Sequence, residues 1–151
     1  MSSNKTILRA GFGFGAYRLD EPVGGFADLV EFSPAEYAAM GRQFEAEKNY
    51  NAPPTSFLGR SWNVSLQSVN GRICKIAPYL VLPNKDQANP IAMDAFRYCN
   101  EQLGQPVEQK TGLFIWDTTN GNVILQAGET ADGFVVGLFL TSSSIRHFVR
   151  L

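Results

Sequence analysis

The sequence predicts an α+β fold, a mainly antiparallel sheet with two helices on one face. Three observations carry that expectation. Asn70-Gly71 and Asn120-Gly121 each stand between apolar, β-branched or aromatic runs, a strong hairpin signal because both residues tolerate positive φ. Ser33-Pro34 and Asn89-Pro90 each put a capping residue before a proline, the chemistry of a helix start. Phe134 to Thr141 alternates with period two, with Val136, Leu138 and Leu140 on one face and Val135 and Phe139 on the other.

The hairpin registers follow from side-chain matching. Around Asn120-Gly121, a two-residue loop pairs Thr119 with Asn122 and sets Ile115 opposite Gln126. A three-residue loop pairs Thr118 with Asn122, which sets Ile115 opposite Leu125 and Leu113 opposite Ala127. Around Asn70-Gly71, a two-residue loop sets Leu66 opposite Lys75, and the bulged loop sets Leu66 opposite Cys74 and Val64 opposite Ile76. The three-residue loop joins apolar partners in both hairpins and is the expected form.

In chain order, Gly11-Phe-Gly-Phe-Gly-Ala-Tyr-Arg-Leu reads as a strand with aromatics on one face and glycine on the other, open to close packing. Its glycine spacing is neither a dinucleotide fingerprint nor a phosphate loop. As an edge strand it would allow a sheet-extended homodimer. Ser33, Pro34 and Glu36 form a capping box, and Phe32 with Tyr37 a hydrophobic staple, for a helix running to about Lys48. Asn49 to Thr55 cannot be helical across Pro53-Pro54 and reads as a rigid loop. The second helix starts at Asn89-Pro90, buries Ala92, Phe96, Cys99 and Leu103, and ends at Gly104. The arrangement suggests a single domain, 1–151, built from two similar helix–hairpin halves, 10–82 and 89–142.

Composition narrows the function classes. At 151 residues, 44% hydrophobic and 18% charged, the chain can bury a full core. A net charge of −1 gives no electrostatic case for nucleic acid. No apolar run approaches the ~20 residues of a membrane span, and Ile7-Leu8 is too short for a signal peptide. The expected location is cytoplasmic, with no membrane partner. Cys74 and Cys99 sit at apolar positions and read as buried free thiols.

Catalytic chemistry is sparse. His147 is the sole histidine, and no neighbouring Asp or Glu orients it as a base. One histidine with two dispersed cysteines lacks metal-ligand spacing, and no cofactor motif is present. Asp20-Glu21 and Glu45/Glu47 read as solvated charges. Asp117 with a distant Glu is the remaining carboxylate pairing.

The early Gly-rich strand, Gly13-Phe-Gly-Ala-Tyr-Arg-Leu-Asp, and the two helix–hairpin units resemble the β-lactamase-inhibitor-protein-like group, which includes small outer-membrane assembly lipoproteins. The lipobox cysteine and the inhibitors' disulfides are missing. The resemblance implies a binding role and supplies no site residues. The expected function is thus non-catalytic, a protein-binding module of inhibitor, immunity or adaptor type whose partner is another protein. Its expected surface is Tyr50, Asn51, Pro53 and Pro54 with Arg60, Trp62 and Trp116, an aromatic and amide patch on a rigid loop and adjoining strands. The alternatives are a small-ligand carrier with a pocket between sheet and helices, and a carboxylate-dependent hydrolase.

Overall fold

Residues 13–32, 48–118, 121–131 and 133–142 are described by the computed structural model. They form β1 (Gly13–Phe14), β2 (Tyr17–Arg18), β3 (Val30–Phe32), β4 (Lys48–Phe57), β5 (Arg60–Val69), β6 (Arg72–Leu82), α1 (Lys85–Leu103), β7 (Glu108–Lys110), β8 (Leu113–Thr118), β9 (Gly121–Thr130) and β10 (Gly133–Ser142). β1 and β2 make a small hairpin, and the other strands form one eight-stranded sheet in the order β3-β4-β5-β6-β10-β9-β8-β7.

This corrects the expected fold class. The described chain is dominated by antiparallel strands and contains one α-helix, α1, rather than two, besides a short 3-10 turn at Val23–Gly25. The stretch 33–47, where the first helix was expected, lies outside the described residues. Part of the correction has a clear cause. The supposed loop around Pro53-Pro54 is strand β4, because the two prolines fall where the β4–β5 pairing shifts register between Ala52 and Thr55. A proline has no N–H to donate, so a bulge accommodates it without losing a ladder bond. Pro78 in central β6 pairs with Val64 of β5, and on its other side the pairing with β10 is interrupted without a change of register. Pairing with β10 runs to Gly137–Tyr79 and resumes at Leu140–Ile76.

Both hairpin registers also differ from expectation. Val69 pairs with Arg72 across Asn70 (φ 53) and Gly71 (φ 73), a tight two-residue turn. A separate bulge on β6 between Ile73 and Lys75 then moves the register by one residue. Leu66 therefore faces Ile76 and Val64 faces Pro78. Apolar still meets apolar, through a bulge inside the strand rather than a longer loop. In β8–β9, Ile115 faces Ile124, Phe114 faces Leu125 and Trp116 faces Val123, which is neither register considered. Residues 119 and 120 lie outside the described residues. Buried Val123, Ile124 and Leu125 are consecutive, so β9 is buried on both faces there and apolar matching on one face could not select the register. The two hairpins also occupy unlike places. β5–β6 reaches the middle of the sheet, and β8–β9 lies beside the edge strand β7.

From Gly13 on, the Gly-rich segment is a hairpin of two-residue strands and not an edge of the large sheet, and Gly11 and Phe12 lie outside the described residues. Gly15 has φ +60, and a Cβ there would come within 2.9 Å of Thr55 Cγ2, so glycine serves both the turn and the close approach to β4. The following loop runs along the end of β6. Asp20 N–H donates to the Ile73 carbonyl (2.7 Å), and Ile73 N–H to the Glu21 carbonyl (2.9 Å). The Asp20 carboxylate accepts from the buried Ser142 hydroxyl at 2.9 Å, tying this loop to the end of β10.

α1 begins earlier than expected. Asn84 caps it, accepting from Gln87 N–H at 3.0 Å, so Pro90 lies inside the helix rather than at its first position. Pro90 is exposed, so its missing hydrogen bond falls on the solvent side. Ala88, Ile91, Ala95, Tyr98 and Cys99 are buried, and Phe96 and Leu103 pack beside them. Gly104 (φ 84) ends the helix as expected.

One face of the sheet, called the first, holds the main core. Trp62, Val64, Leu66, Ile73, Ile76, Trp116, Val123, Leu125, Val136, Leu138 and Leu140 meet α1 and the Phe14, Tyr17 and Leu19 side chains. Phe57 anchors the junction, 5.2 Å from Phe14, 5.5 Å from Trp62 and 5.0 Å from Tyr98 between ring centroids. Both edge strands, β3 and β7, are three residues long, and short, charged edges resist pairing with other chains.

Candidate functional site

The second face of the sheet divides into two halves of different character. Cross-strand partners share a face, so its side chains can be followed strand to strand. One continuous line is Asn49, Gln67, Lys75, Thr141, Asn122 and Asp117. Its first four members are buried. Lys75 Nζ lies 4.7 Å from the centroid of the Phe139 ring, a cation–π distance. Asn122 donates through Nδ2 to the Asp117 carboxylate. Asn49 has neither amide atom hydrogen-bonded. Ala77, Ile124 and Phe139 form a small apolar cluster beside this line. Phe139 leans over Gly137, where an added Cβ would sit 3.3 Å from its Cζ.

Beyond Phe139 the face opens. One line there is Asn63, Tyr79, Gly137, Gln126 and Leu113. The next joins Val81, Val135 and Gly128. Val81 is 45% exposed, and Tyr79, Val135 and Leu113 are half-buried. None of these residues carries a charge. Lys110 and Glu108 stand at the rim on β7 and pair with each other at 3.0 Å. A solvent-facing sheet normally alternates apolar-in with polar-out. β6 and β10 break that rule by being apolar on both sides, in Ala77–Leu82 and Phe134–Leu140. This half thus has an uncharged centre with one aromatic, and charges at its rim.

The expected surface is not assembled as a patch. Trp62 is 0% and Trp116 1% exposed, both on the first face, which removes them as contact residues. Trp62 Nε1–H donates to the Phe57 carbonyl at 2.9 Å. Trp116 Nε1–H donates to the Gly104 carbonyl at 2.9 Å, satisfying an otherwise unpaired group at the end of α1. Each indole thus has an apolar body in the core and a partner for its one donor. Tyr50 is half-buried against the core beside Leu66. Asn51, Pro53, Pro54 and Arg60 are exposed, the prolines at the β4 bulge and Arg60 at the start of β5. Tyr79, Val81, Val135 and Leu113, which line the open half of the second face, are not singled out by the sequence reading. Their signal was the doubly apolar pattern of β6 and β10, which reads equally as an ordinary core strand.

A groove of about 540 Å³ lies at the start of α1. Pro83, Asn84, Lys85, Asn89, Glu129 and Phe134 are among its lining residues. Its volume is within the range of small-ligand pockets, roughly 300–1,000 Å³.

Reactive chemistry is limited among the described residues. Cys74 and Cys99 are buried, and burial pushes the Cys99 thiol up to about 12. A thiol held neutral in this way is a poor nucleophile. No group of three or more His, Cys, Asp or Glu side chains able to hold a metal occurs among the described residues. His147 lies outside them. No helix among them is long and apolar enough to cross a membrane.

Comparison with family models, with known proteins and with solved structures gives no match.

Proposed function

We propose that the protein is a non-catalytic protein-binding module of inhibitor, immunity or adaptor type, and that the open half of the second sheet face is its contact surface. The observation supporting this most directly is the exposure of Val81 beside half-buried Val135 and Tyr79, in strands that are apolar on both sides. Such a surface gains by being covered, because apolar area removed from water is worth roughly 25 cal/mol per Å². It is carried on central strands, so little ordering cost attaches to binding. Asn63 and Gln126 supply amides beside the apolar centre, and the charges of β7 stand at its margin.

The test compares three immobilised proteins, the natural chain, Val81→Glu and Met93→Glu, as baits for partners from the source cells. Met93 is 49% exposed on α1 and serves as a surface control. A partner held by the natural chain and by Met93→Glu, and lost with Val81→Glu, supports the reading. Equal capture by all three moves the contact surface elsewhere, and no reproducible partner sinks the binding role.

The groove at the start of α1 favours a second reading, a small-ligand carrier. Native mass spectrometry of the purified protein would support it by a retained mass that disappears in Phe134→Ala. A bare chain mass from freshly isolated protein counts against it.

A further inference from the structure

We draw no further inference here: the strongest candidate, the buried cross-strand line Asn49, Gln67, Lys75 and Thr141 on the second face of the sheet, in which the Asn49 amide has no hydrogen-bond partner, carries nothing because nothing among the described residues shows what covers it.

Discussion

On the first face of the sheet, Val136, Leu138 and Leu140 of β10 are fully buried in the core that α1 joins. On the second face of the same strand, Val135 is half-exposed beside Val81 of β6. The residue types are alike and their surroundings are not. Apolar character therefore says that a position favours cover, and the packed chain decides which positions receive it. The first face gains its stability within the molecule. The open half of the second is left with area that a partner can cover.

The sharpest way to break this contrast is a matched pair of truncations. Leu138→Ala should cost about 2–5 kcal/mol, the range for a buried leucine losing its contacts and leaving a cavity. Val81→Ala should cost under about 0.5 kcal/mol, as for exposed sites. Urea titration would read both as shifts of midpoint at constant slope. Similar losses at the two positions would mean that the second face is closed.

Cys99 tests the sealing of the core by pH. Its thiol is raised from 9.0 to about 12 by burial. The folded state then holds a proton that the unfolded state releases, so stability is intact below about pH 9 and falls as pH rises toward 12. Cys99→Ala should flatten that alkaline decline, whatever packing it loses at neutral pH. An unchanged slope would assign the decline to other groups. The same burial predicts that neither thiol is alkylated at pH 8 until the chain unfolds.

A smaller effect is expected at the indoles. Trp62→Phe keeps most of the ring volume and leaves the Phe57 carbonyl without its donor, at a cost of roughly 1–2 kcal/mol by thermal or urea unfolding. The smallest effect on stability belongs to Val81→Glu, within about 0.5 kcal/mol. If that charge unfolds the protein, the exposed half is part of the core.

The elements that were legible in sequence were those with local causes. Asn70-Gly71 makes the turn that its two positive φ values allow. Gly104 ends α1, and the alternation in β10 places Val136, Leu138 and Leu140 on the core face. Cys74 and Cys99 are buried, as their apolar positions implied. Less legible were features fixed by neighbours distant in the chain. Asn84 rather than Asn89 caps α1, because either could serve locally. Pro53-Pro54 sits in a strand because β5 offers a register shift at that point. Trp62 and Trp116 resembled contact residues, and are buried in the apolar core, where the Phe57 and Gly104 carbonyls satisfy their indole N–H groups.

The sequence by itself determined the turn at Asn70-Gly71, where α1 stops and which strands are apolar, since backbone sterics, capping and side-chain period act over a few residues. Only the tertiary structure decided the bulge that sets Leu66 opposite Ile76, the joining of β6 to β10 at the centre of the sheet, and the exposure of Val81. Those depend on which surfaces meet across long chain separations, and the free energy of that meeting is shared among many residues rather than written in any one short stretch.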